Sequence, residues 1–325
     1  MGRTVVAVPG APLRGIVGGD RQPIRQERRV PSLIRTVAAV AAAGTGALAY
    51  AGLVERRWYR LRHATVPALR DTATRPLRIL HLSDLHLLPR QGHKHDFVRA
   101  CISTGPDLVV ATGDFLGHPE AVDDAVALLA PAAEGRPALG VLGSNDVYAP
   151  SPKNPVDYLI DRDRRRYGRR MDTARLVDGL REAGWTFLDN RRTAITTAAG
   201  EIDVAGLGDA HVGWDHPEQV DWRPPTTPVA LRLGVLHAPY LRALDVFAHY
   251  AFDLVLAGHT HGGQLRVPLL GALVTNCDLP LRQARGLSRH EGSWLHVSAG
   301  LGTSMYAPVR FSCPPEATLL DVVPA

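Results

Sequence analysis

Five apolar runs in this chain each stop at a short polar cluster: His81-Leu82-Ser83-Asp84-Leu85-His86, Gly113-Asp114, Gly143-Ser144-Asn145-Asp146, His237, and Gly258-His259-Thr260-His261-Gly262-Gly263. Small polar residues at a strand end make ordinary turns, because Gly, Asn and Asp tolerate the backbone angles that turns require. In open α/β sheets, however, the carboxyl ends of neighbouring strands border one crevice, and groups far apart in sequence converge there. Each cluster alone is a weak signal: Asp-x-His arises by chance in a chain of this size and recurs as Asp209-Ala210-His211. The ordered set, with every member following an apolar run, is a strong one.

The spacing of the runs predicts the fold class. Strands are expected at 77–82, 108–111 and 138–142, with helices at 96–103 and 120–130 between them. Such a βαβαβ start implies an α/β chain with a largely parallel, buried sheet. A helix follows near 174–183, and further strands near 202–207, 231–236, 254–257, 294–298 and 317–322. The intervening 151–173 is an irregular basic insertion with Arg162, Arg164, Arg165, Arg166, Arg169 and Arg170. It reads either as a solvated loop or as an arginine cluster for phosphate or anionic lipid. Cys101, Cys277 and Cys313 are an odd number without metal-type spacing, so they build neither a disulfide framework nor a zinc knuckle.

Charge is unevenly placed. Fourteen arginines against four acidic residues up to Arg78 give that segment +10, leaving −5 for the rest of a chain whose net charge is +5. The acidic remainder argues against a surface for duplex nucleic acid. Within the basic segment, 36–54 is an uncharged stretch flanked by arginines, and its nineteen residues reach about the ~30 Å hydrocarbon thickness. It reads as a single membrane anchor. A cleaved signal peptide ending near Ala47-Leu48-Ala49, or a surface helix, meets the same description. Arginines on both sides leave open which membrane face carries the remainder. The expected organisation is a disordered tail over 1–35, a membrane helix over 36–54, a linker over 55–76 and one domain over 77–325.

Aspartate, asparagine and histidine together form an oxygen and nitrogen donor set suited to Mn, Fe or Zn. In its order and spacing, the set resembles the calcineurin-like metallophosphoesterase superfamily over roughly 77–322. The resemblance implies a two-sheet α/β sandwich flanked by helices and a site for two divalent metal ions. It makes Asp84, His86 and His261 ligands of one ion, His237 and His259 ligands of the other, and Asp114 the bridge. The string GHTHGGQLRVP, the preceding anchor-like helix and the later APVRFSCPPEATLL resemble the bacterial membrane-associated branch, similar to UDP-2,3-diacylglucosamine hydrolases. The implied chemistry is metal-assisted, in-line attack of water on a phosphodiester or pyrophosphate in a nucleotide- or lipid-linked substrate.

One departure from the family pattern bears on that chemistry. The family turn is Gly-Asn-His followed by Asp or Glu, where Asn binds metal and His assists the leaving group; this chain has Gly143-Ser144-Asn145-Asp146. Read in register, Ser144 replaces the ligand. Shifted by one, Asn145 remains the ligand and the acid is absent. The shifted reading is preferred, because an amide oxygen is a better ligand than a neutral hydroxyl. His118 and His211 are the candidate replacement acids, and Arg165, Arg166 and Arg310 the candidate phosphate contacts. Two other classes stay open: a catalytically idle metal-binding module at the membrane, and a dimetal nuclease.

Overall fold

The computed structural model describes residues 32–151 and 168–325, so Arg162, Arg164, Arg165, Arg166 and most of the expected tail lie outside the described residues. Two compact units divide the chain, 1–43 and 44–325, and the second holds both large sheets. Helix α1 (Ser32–Ala49) leads into a π-helical stretch, Tyr50–Val54, and a 3-10 turn, Glu55–Arg57. The run Ile34–Arg57 is 24 residues long and apolar enough to cross a membrane by length and composition. Signal sequences share that property.

Regular structure then resumes earlier than expected. The stretch read as a linker, 55–76, contains strand β1 (Arg60–Leu69), paired in parallel with the C-terminal strand. Arg60, Arg62 and His63 hide its alternation, and Pro67 argues against a central strand. As an edge strand β1 accommodates that proline, because one side of an edge needs no donor. Val66, Ala68 and Leu69 are buried.

Along the chain follow β2 (Leu77–Leu82), α2 (Gly92–Ile102), β3 (Leu108–Thr112), α3 (Val122–Leu129), β4 (Ala138–Val141) and the single turn α4 (Ser144–Val147). Next come α5 (Thr173–Glu182), β5 (Trp185–Phe187), β6 (Arg191–Thr197), β7 (Gly200–Gly206), β8 (Leu231–Val235), α6 (Leu241–His249) and β9 (Leu254–Ala257). The last elements are β10 (Arg266–Val267), β11 (Gly271–Ala272), β12 (Gly286–His290), β13 (Ser293–Val297) and β14 (Glu316–Pro324). One six-stranded sheet has the order β1-β14-β2-β3-β4-β5, the other β12-β13-β9-β8-β7-β6. Strands β2 to β5 are mutually parallel, as are β7, β8, β9 and β13.

Period-two burial makes the layers. Ile79, Val110 and Val141 of the first sheet share one apolar core with Val204, Leu233 and Leu256 of the second. The opposite face of the first sheet, with Leu80 and Val109, packs on Val98 of α2, Leu128 of α3 and Leu180 of α5. The opposite face of the second, with Val255 and Val297, packs on Leu244 and Phe247 of α6. This is the expected two-sheet sandwich with helices outside.

The inter-sheet layer contains a polar pair. His81 of β2 and His296 of β13 are buried, with their Nδ1 atoms 2.8 Å apart, and His81 Nε2 lies 2.9 Å from Thr112 Oγ1. Burial drives both imidazoles down, His81 well below the ordinary range with help from His296, and His296 to about 4. Both are therefore neutral in the folded chain.

Two predictions follow from these contacts. Deleting 1–76 removes β1 and exposes the β14 edge, at a cost of roughly 3 kcal/mol or more for Val66 and Leu69 alone; deleting 1–43 spares the second unit. Thermal melts should show a cooperative transition for the second protein and a large loss for the first, and equal melts would make β1 dispensable. For the histidine pair, the unfolded chain takes up protons near 6.5 while the folded chain resists to about 4. The pair's contribution is thus present above about 6.5 and lost as pH falls through that window. His296→Gln should flatten the acid limb of a plot of melting temperature against pH, and an unchanged slope would contradict the assignment.

Candidate metal centre

The carboxyl ends of β2, β3, β8 and β9 bring Asp84, His86, Asp114, His237 and His261 into one cluster. Chain pairing continues past the strands to hold it: Asp84 N donates to Gly113 O, His86 N to Asp114 O, and Gly258 N to His237 O. Asp84, His86, Asp114, His259 and His261 all have left-handed backbones, with φ between 41° and 66°. Such angles are uncommon outside glycine and persist where surrounding contacts over-determine them. Two glycines admit the close approach. A Cβ on Gly143 would overlap the Asp114 carboxylate, and one on Gly258 would overlap Ser83 Oγ and Asp84 Oδ2.

Among the described residues two ion-sized groupings result: Asp84, His86 and His261, and Asp84, Asp114 and His237. His86 Nε2 lies 3.2 Å from His261 Nε2, and Asp114 Oδ2 lies 3.5 Å from His86 Nε2 and 3.6 Å from His237 Nε2. His261 Nε2 is 3.6 Å from Asp84 Oδ1. Edges of about 3.4 Å are those of a tetrahedral shell with bonds of about 2.1 Å. His237 gives its Nδ1–H to Thr112 O at 2.7 Å, which leaves Nε2 facing Asp114, buried and without a hydrogen-bond partner. A carbonyl-oriented imidazole of this kind is the usual state of a metal-binding histidine.

Electrostatics point the same way. Burial pushes the Asp84 carboxyl up to about 6. Burial also opposes charge on Asp114, yet His237, His86 and two Asn145 hydrogen bonds hold it well below the usual carboxylate range. Burial would discharge His237, but Asp114, Asp209 and Asp84 outweigh it and raise the imidazole to about 10. Burial keeps His86 down at about 4 and His261 lower than its ordinary range. The carboxylates of Asp114, Asp209 and Asp84 thus favour positive charge at His237 Nε2, which a divalent cation there would supply in place of the proton. The donor set and its orphaned nitrogen fit divalent metal ions.

The remaining expected residues divide. Asn145, rather than Ser144, reaches the cluster: its N–H donates to Asp114 Oδ1 at 3.0 Å and its amide to Asp114 Oδ2 at 2.6 Å. Ser144 gives its backbone N–H to Asp209. His259 stands beside His237 at 5.2 Å between ring centres, outside both groupings, with Nε2 3.3 Å from Asn276 O. His211 lies against the His259 ring, 4.5 Å between ring centres and tilted by 41°, and its Nδ1 is 3.1 Å from Tyr240 Oη. His118 accepts the Glu120 N–H and caps a short turn. Arg310, expected as a phosphate contact, requires correction. It is fully buried; its Nη2 donates to Ala299 O, Gly300 O and Gly302 O and lies 3.3 Å from His261 Nδ1. Its donors are spent on backbone, so it positions His261 rather than meeting substrate.

Sequence reasoning missed a buried chain of donors. Ser83 Oγ donates to Asp84 Oδ2 at 2.5 Å, and Thr112 Oγ1 donates to Ser83 Oγ at 2.7 Å. With its one proton so used, Thr112 accepts from His81 Nε2–H, and His81 Nδ1 accepts from His296 Nδ1–H. Every donation runs toward Asp84. Asp146 and Asp209 were also missed as supports: Asp146 takes the N–H groups of Leu116 and Gly143, and Asp209 those of Ser144 and His211.

A model of the calcineurin-like phosphoesterase family matches residues 77–263. The chain is 30% identical over 296 residues to the phosphodiesterase YaeI of Escherichia coli, covering 89% of this chain and 97% of that one. It is 28% identical over 254 residues to the uncharacterized metallophosphoesterase YkoQ of Bacillus subtilis, covering 77% and 85%. It is 27% identical over 285 residues to the UDP-2,3-diacylglucosamine pyrophosphatase LpxG of Chlamydia trachomatis, covering 75% and 83%. With more than half of its length matched by the family model and its carboxylate and histidine ligand candidates gathered at the strand ends, the chain belongs to the calcineurin-like phosphoesterases, a family of metal-dependent phosphoester hydrolases.

Proposed function

We propose that the protein is a membrane-tethered dimetal phosphohydrolase that cleaves a phosphodiester or pyrophosphate bond in a nucleotide- or lipid-linked substrate. The observation that carries this reading is the Asp114 carboxylate, whose Oδ2 lies within 3.6 Å of both His86 Nε2 and His237 Nε2 while also receiving the Asn145 amide. Asp84, His86 and His261 would hold one cation, and His237, Asn145 and His259 the second, with Asp114 available to both. Bound there, the pair would polarise a phosphoryl oxygen and lower the pKa of a water for in-line attack.

The chain's own groups orient and protonate. Asp114 is fixed by the Asn145 N–H, and Asp84 by the Ser83 hydroxyl and the His259 N–H. Asp146 does not take the place of the absent turn histidine, because it is fully buried with both oxygens held by backbone N–H groups and is out of reach of a departing oxygen. His211, next to His259 and paired with Tyr240, is the group that gives a proton to the departing oxygen. A nucleotide phosphate leaves readily with little protonation, which favours a diester or pyrophosphate over an alkyl monoester. LpxG, by its name a UDP-2,3-diacylglucosamine pyrophosphatase, supports that substrate class, and the apolar run Ile34–Arg57 supports the tether.

Two measurements test this. Asp114→Asn should lower bound metal from about two per chain and turnover by on the order of 10³-fold, whereas an idle module would bind metal without hydrolysing a chromogenic diester. Asn145→Ala should weaken the second metal far more than Ser144→Ala; equal effects on metal content would sink the ligand assignment. Separately, His211→Ala should slow substrates with basic leaving groups by roughly 10²-fold or more while sparing activated esters. A uniform loss across leaving groups would remove His211 as the proton donor.

A further inference from the structure

Beside the metal centre, the described residues include a hairpin with a strongly apolar tip. Strands β10 and β11 form a hairpin, and its tip carries Leu269 and Leu270 at 108% and 82% exposure. Leu265, Leu273 and Val274 on its arms are exposed as well. The tip is an ordered turn: Leu270 N donates to Val267 O, and Leu269 adopts φ 71°, a turn position that favours glycine. Solvation alone gives no reason for leucine at both places.

The base of the hairpin is tied to the apolar helical run. Arg266 N donates to Phe311 O, and Phe311 N donates to Gln264 O. Tyr50 packs edge-on against the Phe311 ring at 6.4 Å, and Arg310 N donates to Ala51 O. At that end of the run Leu48, Leu53, Val54 and Trp58 are exposed. Neither 261–277 nor 301–315 contains an acidic residue, and the one acid in 44–63, Glu55, is buried against Cys313 N. Arg57 and Arg60 follow that buried glutamate, and Arg266 lies in the acid-free 261–277. An apolar, aromatic surface with a basic border matches the interface of an anionic bilayer.

We propose that the 265–274 hairpin inserts its leucine tip into the headgroup and acyl boundary of the bilayer that holds the apolar run. This rests on the membrane-tethered reading above and narrows its substrate class. Both ends of the hairpin are at the metal centre: it starts just after His261, and Asn276 O faces His259 Nε2 at 3.3 Å. The site therefore opens at headgroup depth. It takes amphiphiles whose phosphodiester or pyrophosphate lies at the bilayer surface while their acyl chains stay in the bilayer.

The test uses the full-length, metal-loaded chain in vesicles of phosphatidylethanolamine and phosphatidylglycerol. An environment-sensitive dye on Leu270→Cys, with the dye-treated parent chain as blank, should emit to the blue. Nitroxide lipids should quench it and aqueous iodide should not. Quenching by iodide equal to that of a dye at Glu291→Cys would overturn the insertion. Replacing Leu269 and Leu270 together by Asp should lower cleavage of CDP-dioleoylglycerol in the vesicles about tenfold or more, with turnover of soluble bis(4-nitrophenyl) phosphate kept within about twofold. Equal loss on both substrates, or on neither, would overturn the link to substrate. If the parent chain cleaves neither, the phosphohydrolase reading fails, and dye depth still decides the hairpin.

Discussion

Asp84 and Asp114 are buried carboxylates in a single cluster, and an uncompensated charge in that setting costs several kcal/mol. Much of the surrounding architecture can be understood as compensation. His259 sends its backbone N–H to Asp84, Asn145 sends its own to Asp114, and neighbouring Asp146, Asp189 and Asp209 capture those of Gly143, Leu142 and Ser144. Hydrogen bonds to ionised acceptors are about twice as strong as neutral ones. The loops after β2, β3, β4, β7 and β9 are thus shaped by the need to deliver donors to carboxylates. Site and fold are one construction.

Much of the sandwich was legible because buried strands announce themselves. The runs at 77–82 and 254–257 are uninterrupted by charge except Arg78, and they became β2 and β9 with those bounds. Strand β6 was not legible, since RRTAITT lies at a sheet edge and buries none of its side chains fully. Strand β1 was obscured by its arginines and its proline. In the cluster, the aspartates and histidines stood out by following apolar runs. Ser83 and Thr112 did not, because a hydroxyl within or just after a strand is unremarkable until its partners are known.

Arg310 illustrates a different limit. An arginine in an otherwise apolar segment of a phosphate-handling chain suggests an anion contact. Its environment is instead made of the carbonyls of Ala299, Gly300, Gly302 and Cys313, groups that every residue possesses. No side-chain pattern could have foretold that the backbone would fold into a cage of acceptors. The contact of Asn145 with Asp114 was no more legible, because it depends on the direction of one helical turn.

The pairing of β1 with β14 has a consequence for how the protein is made. Arg62 and its partner Glu316 are 254 residues apart. At about 5–20 residues per second, a ribosome needs on the order of 10–50 s to cover that distance. Throughout that interval β1 has no neighbour, and β2 lacks the one on its outer side. The first sheet can close only once β14 has been synthesised, so this edge is among the later parts of the fold to form. Until β14 arrives, the unpaired β1 and the open side of β2 are edges that could find partners in other molecules.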